Sequence, residues 1–424
     1  MKHTLIKCLA SGLILLVVLS AAASCTDNNP GISSDSGNNQ DFKYIENDDE
    51  PLSYNAMEGG MQIKYFDGCI YFLNGSSAYG WQENHATLYR FNTKTGNLTT
   101  VCADPLCKHN SPECPFYSME NRFYVYENKI YYDRTYVFDY KETGFYADFV
   151  SFDISNSKLK QYIVYTDSIP DGIIGSQLYV DNYIFYYDIV VDSKTNTSKI
   201  TINRMNLKDG SVVVMNADDS TNDNTIGFNN MFLFAVDQRI YFSDGKKIYS
   251  TDYNMNNRQD IMSVASLDSN IKTDGEYIYW GESERSDNAK LQTLYRAKLD
   301  GSGKTPLNIK AEKWQITKNY IYYLNPQETV IGKNEMEQRN GGDIVLEYNE
   351  IRRAAHDGLS NELVFSLIQD DIYFEIYPYY FSCVGNYIYT AYHTYTDKNN
   401  NGAYDDSEYY QSSDSKTYTI LRID

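Results

Sequence analysis

Histidine and basic charge are what this chain has least of. Its 424 residues include 5 His, and 37 Lys and Arg stand against 57 Asp and Glu, for a formal net charge of −20. That balance argues against nucleic acid as a partner, because phosphate binding needs a basic surface. The familiar catalytic spacings are missing too: there is no G-x-S-x-G elbow, no H-E-x-x-H and no phosphate-binding glycine loop. Beyond the first residues, His85, His109, His356 and His393 are scattered, and none lies in a catalytic motif. Tryptophan is rare, 3 against 42 Tyr, and half-buried Tyr on strand surfaces accounts for that excess without a ligand. Long apolar runs are also wanting. Leu13–Leu19, behind Lys2 and Lys7, is too short to span a membrane.

That short run ends in Ala21-Ala22-Ala23-Ser24-Cys25 and reads as a secretory signal. The small residues before Cys25 fit a lipobox, with Ala22 where Leu is usual. A lipobox makes Cys25 the mature N-terminus and the site of lipidation; ordinary cleavage and secretion is the alternative. Acyl chains anchor a soluble domain to the membrane without crossing it. Thr26–Pro51 is rich in Asn, Ser, Gly and Asp, lacks apolar periodicity, and reads as a flexible tether. The expected organisation is a signal at 1–24, a tether at 25–52 and one domain at 53–424, exported and held on the outer side of a bacterial membrane or at the cell surface. Loss of Lys2 and Lys7 with the signal makes the mature chain more acidic still, which favours solubility and cations.

The domain is repetitive. A turn followed by a short β-rich run recurs as Cys69–Phe72, Lys129–Tyr132, Tyr183–Tyr186, Arg239–Phe242, Tyr277–Trp280, Tyr320–Tyr323 and Tyr387–Thr390. A second run follows each time: Leu88–Phe91, Phe149–Phe152, Ile202–Met205, Ile248–Thr251, Leu294–Ala297, Ile351–Ala354 and Ile420–Ile423. Short strands such as Phe123–Tyr126 and Gln177–Val180 precede the first run, and Ser211–Met215 or Glu362–Leu367 follow the second. Each unit is therefore a four-stranded antiparallel meander. Tyr, Ile, Val and Phe suit its strands, and Gly, Asn and Asp its turns. One meander cannot bury both of its faces alone. Stacking units of about 40 residues radially solves this and gives a β-propeller. A β-sandwich gives no reason for matched half-motifs. The expected fold is an all-β propeller with seven blades, six or eight being the alternatives. The last copy stops at Asp424 after its third strand, so the segment Phe42–Tyr54 is expected to supply its fourth strand and close the ring.

The block Tyr277–Leu307, YIYW…LYRAKLDGSGKTPL, resembles the YWTD repeat of low-density-lipoprotein-receptor-type propellers and the TolB-like repeat of bacterial envelope propellers. Over residues 59–424 the chain is most similar to bacterial lipoproteins carrying a propeller domain of unknown function. It departs from the YWTD pattern at Gly281-Glu282, where Thr-Asp would stand. YWTD propellers usually have six blades, against seven copies of the half-motif here.

Two loops carry ligand chemistry. Cys102, Cys107, His109 and Cys114 form a C-x4-C-x-H-x4-C array between the first and second repeats. Those are the ligand types of a tetrahedral zinc (Zn2+) site, while export favours a disulfide among the same cysteines. Connections from a fourth strand to the next first strand lie on the face where propellers usually bind ligands. Cys69 and Cys383 belong to the first and last repeats, neighbours in a closed ring, and are expected as buried thiols, a disulfide between them being the alternative. Near the C-terminus, Asp397–Glu408 matches D-x-[DN]-x-[DN]-G-x5-E throughout. Calcium (Ca2+) would be held by Asp397, Asn399, Asn401, the Ala403 carbonyl, Asp405 and Glu408, with Gly402 at the turn. The flanks, Tyr387–Tyr395 and Thr417–Ile423, read as strands, so the EF-hand-like loop is expected within a β-hairpin. The polar insertion Gln327–Tyr348 is expected as loop.

These features point to a lipid-anchored module that binds a protein or glycan partner. The rival reading is an envelope hydrolase or lyase with a carboxylate-built central-channel site. The calcium loop is open to direct test: calcium should raise the melting temperature of the full chain, and Asp397→Ala combined with Glu408→Gln should abolish the rise. A wild-type protein that melts identically with calcium and with chelator has no such site.

Overall fold

The computed structural model describes residues 54–55, 63–74, 87–102, 104, 106–107, 114–117, 119–139, 144–166, 177–192, 197–215, 231–243, 246–264, 271–283, 291–329, 345–366, 373–376, 381–384, 387–395 and 417–422. Every regular element among them is a β-strand. β1 (Tyr54–Asn55) precedes the first repeat. The first sheet holds β2 (Ile63–Phe66), β3 (Cys69–Asn74), β4 (Thr87–Asn92) and β5 (Leu98–Thr100). The second holds β6 (Met119–Tyr126), β7 (Lys129–Asp139), β8 (Gly144–Asp153) and β9 (Leu159–Thr166). The third holds β10 (Gln177–Val180), β11 (Tyr183–Asp192), β12 (Thr197–Asn206) and β13 (Val212–Met215), with β1 added beside β10. The fourth holds β14 (Met231–Val236), β15 (Arg239–Ser243), β16 (Lys247–Asp252) and β17 (Gln259–Ser263). The fifth holds β18 (Lys272–Thr273), β19 (Tyr277–Ser283), β20 (Gln292–Lys298) and β21 (Thr305–Ala311). The sixth holds β22 (Trp314–Ile316), β23 (Ile321–Thr329), β24 (Val345–Ala354) and β25 (Glu362–Ser366). The last holds β26 (Tyr373–Ile376), β27 (Ser382–Val384), β28 (Tyr387–Tyr395) and β29 (Thr417–Arg422).

The chain is an all-β propeller built of antiparallel meanders, six of the sheets four-stranded and the third five-stranded. The first half-motif of each repeat is the second strand of a sheet, and the other half-motif is the third strand. The turn leading into the second strand is tight. Asp67 and Gly68 both have positive φ (47° and 71°), as do Asp237 and Gln238 (50° and 60°), the backbone that matches a two-residue turn to the twist of its strands.

The second strands are buried on both faces. Ile70, Ile130, Ile240, Ile278, Ile321 and Ile388 are fully buried, and on the opposite face Tyr71, Tyr131, Tyr241, Tyr279, Tyr322 and Tyr389 are buried as well. Apolar clusters join each sheet to the next. Tyr131 and Phe149 pack with Tyr179 and Ile184 between the second and third sheets. Phe185 and Phe232 meet between the third and fourth, Ile248 and Trp280 between the fourth and fifth, and Leu294 and Trp314 between the fifth and sixth. Tyr322 and Ile388 join the sixth to the last. Val384 and Tyr389 of the last sheet then share a cluster with Ile63 and Phe72 of the first, the Phe72 and Tyr389 rings lying 4.9 Å apart.

Ring closure differs from the expected strand exchange. β1 pairs with β10, Tyr54 opposite Tyr179 and Asn55 opposite Leu178, and so extends the third sheet rather than the last. The remainder of Phe42–Tyr54, up to Ser53, lies outside the described residues. In the last sheet the first strand is split. β26 pairs with Tyr392–Tyr395 of β28 and β27 with Tyr387–Tyr389, while β29 takes the other edge. Side-chain packing of the last sheet on the first joins the ends of the ring. The insertion Gln327–Tyr348 also departs from expectation, because its ends are paired strand, Gln327 opposite Glu347 and Thr329 opposite Val345.

Gly281 has a packing reason. A Cβ there would stand 2.0 Å from Gln292 Oε1 and 2.8 Å from Gln292 Cβ, so the Thr of a YWTD motif does not fit. Its neighbour Glu282 is also used locally, accepting from Trp280 Nε1 (2.8 Å) and Lys304 Nζ (2.6 Å). Gly301 serves the contact between sheets. It sits at φ 82° with Ile261 O of the fourth sheet 2.2 Å from where a Cβ would be, and only glycine tolerates both conditions.

Candidate functional site

Cys102 follows β5 and Cys114 precedes β6, with Cys107 between them in the connection from the first sheet to the second. Their three Sγ atoms lie within 4.8 Å of one another. Cys102 and Cys114 are buried in the cluster that contains Phe116, and Cys107 is half-buried against it. The connection is pinned by its own backbone. Thr100 Oγ1 donates to Cys102 O (3.1 Å), Cys107 N to Asp104 O (3.1 Å), Leu106 N to Asp104 Oδ1 (2.9 Å) and Tyr117 N to Cys114 O (3.1 Å). From β7, Tyr132 donates its hydroxyl to Pro115 O at 2.8 Å. Burial pushes the Cys102 and Cys114 thiols above the ordinary cysteine range, against the opposing pull of the nearby Asp104 and Phe116 amides.

The structure thus brings together three of the four ligands expected from the sequence. His109 lies outside the described residues, as do Cys25 and the calcium-loop residues Asp397, Asn399, Asn401, Ala403, Asp405 and Glu408. The strands flanking that loop are in place: β28 and β29 form the expected hairpin, Tyr387 opposite Arg422 and Tyr392 opposite Thr417. Cys69 is a buried free thiol, and Cys383 is a free thiol that is only half-buried.

A second polar cluster was not legible in the sequence. Asp274, in the turn between β18 and β19, reaches across to His356 in the turn after β24, Nδ1 to Oδ2 at 3.0 Å. Tyr279 donates its hydroxyl to the same oxygen at 2.6 Å, and the Glu276 and Tyr277 amides donate to Oδ1 at 2.9 and 2.8 Å. The other imidazole nitrogen, Nε2, meets the Thr317 carbonyl at 2.9 Å. Arg296 donates to the His356 carbonyl, also at 2.9 Å. Burial disfavours the charged imidazole, but the Asp274 carboxylate and the Thr317 carbonyl outweigh it and raise the His356 pKa. Burial likewise opposes the Asp274 charge, and the His356, Tyr279 and amide hydrogen bonds together hold that carboxyl well below the usual range. With both ring nitrogens engaged, His356 is a clasp between the fifth and sixth sheets, not a base facing a substrate. Asp-Gly and His-Asp-Gly are visible as turns in the sequence; their meeting across two sheets is not.

Polar groups also brace the second sheet and join it to the third. Arg134 pairs with Asp148 across β7 and β8, Nε to Oδ1 at 2.8 Å, and Gln161 Nε2 adds a 2.7 Å bond to Asp148. Gln177 of β10 donates to Asp133 of β7 at 2.8 Å and accepts from Tyr179 at 3.1 Å.

No family model and no curated protein matches the chain. Solved structures do. The acylaminoacyl peptidase of Pyrococcus horikoshii shares 9% identity over 80% of this chain and 51% of its own, at a TM-score of 0.46. Oligogalacturonate lyase from Vibrio parahaemolyticus shares 8% over 86% and 97% of the two chains, at 0.44. The β-propeller domain of the Trilobed protease from Pyrococcus furiosus shares 9% over 80% and 94%, at 0.43. This chain spans about half the length of the peptidase, 51%. Likeness at this level says nothing of activity, and the fold rests on the strand pairing itself.

The clasp sets a pH signature. A raised histidine pKa stabilises the fold fully below the ordinary value near 6.5, and that contribution fades as pH rises through the folded value. A depressed carboxyl stabilises above about 4 and fades as pH falls through its folded value. The melting-temperature gap between wild type and His356→Gln should therefore be widest near pH 5 and narrow by pH 9. A gap that stays constant or widens towards pH 9 would contradict an ionised Asp274–His356 pair.

Proposed function

We propose that this protein is an exported, lipid-anchored β-propeller that binds a protein or glycan partner outside the membrane. The ring has seven blades, the five-stranded sheet counting as one. Cys25 carries the lipid, residues 26–52 hold the domain off the surface, and the propeller presents the partner-binding face. Calcium in the Asp397–Glu408 loop neutralises three carboxylates at once and orders that hairpin end.

The observation that carries this reading is how the frame disposes of its charge. Asp153, Asp209, Asp252, Asp274 and Asp300 are each tied into the frame by a turn amide that donates to the carboxylate. Each accepts hydrogen bonds within a turn or across two sheets. A rigid scaffold with satisfied charge suits recognition by loops mounted on it.

Two measurements on the intact chain test the reading. Cys25→Ala should shift the protein from the membrane fraction to the soluble fraction. Glycan arrays and cross-linking on its own cell surface should then retain a partner that is released unchanged. Turnover of polyuronate or peptide substrates, lost on replacing a channel carboxylate, would establish the enzyme instead.

A further inference from the structure

We propose that Cys102, Cys107 and Cys114 together bind one soft d10 cation, Zn2+ in the first instance, as a three-thiolate site that staples the connection between the first and second sheets. Three sulfurs converge within 4.8 Å of one another. Ligands about 2.3 Å from a tetrahedral zinc stand about 3.8 Å apart, so side-chain rotation alone brings these sulfurs onto one ion. A disulfide joins two sulfurs and has no use for the third. It would also close a short loop, at the longest from Cys102 to Cys114, and short loops gain least from cross-linking.

Hydrogen bonds to backbone carbonyls hold the connection in this shape: Thr100 Oγ1 donates to Cys102 O, Cys107 N to Asp104 O and Tyr117 N to Cys114 O, each at 3.1 Å. A backbone fixed in this way orients its ligands towards a metal before the metal binds. Around them Phe116 packs on Tyr132 and Phe152 with centroids 5.5 and 4.8 Å away, an apolar wall that limits water at the ion. Phe152 and Tyr132 belong to the second sheet, whereas Cys102 leads directly out of β5 of the first. The ion therefore ties the connection into the core shared by both sheets. Three thiolates and one Zn2+ leave a net charge of −1, and the fourth coordination position is open to a neutral donor; His109 is tested for that role below. None of this depends on what the propeller binds.

The test uses the full chain, reduced, stripped with chelator and titrated with Cd2+ without oxygen. One equivalent should produce the thiolate-to-cadmium charge-transfer band, displaced by Zn2+, and Zn2+ should raise the melting temperature. Cys107→Ser, at the half-buried position, should weaken binding by at least about 100-fold, more than loss of an outer-shell partner does. Cys383→Ser should leave binding unchanged. His109→Ala reads the fourth position: weaker binding with the band retained supports a neutral nitrogen there, and unchanged binding supports water. No cadmium band although three thiols titrate, or peptide mapping of the unreduced protein that finds a disulfide between any two of the three, overturns the proposal. The wild-type titration and the mapping decide the matter even if Cys107→Ser does not fold.

Discussion

Each sheet of this protein has two faces that must leave water, and the second strand of every repeat bears most of that demand. An ordinary antiparallel strand alternates apolar and polar because one of its faces is wet. Here Ile278, Tyr279 and Trp280 are successive and all buried, as are Ile321, Tyr322, Tyr323 and Leu324. No single meander satisfies such a strand, so each sheet needs a neighbour on either side. A ring supplies this without end sheets. Tyrosine suits the arrangement because it fills the gap between sheets and still has a hydroxyl for the partner's backbone, as Tyr131 does with Leu207 O at 3.3 Å.

The repeat is legible because it is local. Turn, second strand and third strand follow one another within one unit, and a second strand apolar on both faces fits few arrangements besides a stack of sheets. What is not legible is what depends on meeting across units. The logic of an unpaired edge places Phe42–Tyr54 in the last sheet, but the described end of that segment binds the edge of β10. Among the described residues β29, beside which it would have lain, pairs with β28 alone, and on the other side of β28 the first strand is split into β26 and β27. The one mark of the split in the sequence is Pro378, between the two pieces, which has no amide to give to a strand ladder. Gly281 illustrates the converse: a departure from the repeat pattern that the sequence shows plainly, and whose reason is the Gln292 side chain on the neighbouring strand.

The same division holds for the polar groups. Cys102, Cys107 and Cys114 are close in sequence, and their convergence in space follows the short connection that carries them. The Asp274–His356 clasp spans two sheets, and neither residue stands out among the many Asp and turn residues of an acidic chain. Its effect is to convert two turns into a fixed contact between neighbouring sheets, and it leaves the imidazole no free nitrogen for chemistry. Cys25 as a lipid anchor and Asp397–Glu408 as a calcium loop are proposals from motif alone.

Closure by packing between the last and first sheets is the point on which the ring stands or falls. Amide hydrogen exchange on the intact chain tests it directly. If Phe72, Val384 and Tyr389 seal the ring, the amides of Ile70, Ile130, Ile184, Ile240, Ile278, Ile321 and Ile388 exchange slowly and at one common free energy, that of global unfolding. If Ile388 exchanges orders of magnitude faster than Ile70 while the remaining five stay protected, the last sheet opens on its own, and the ring is not closed by this contact.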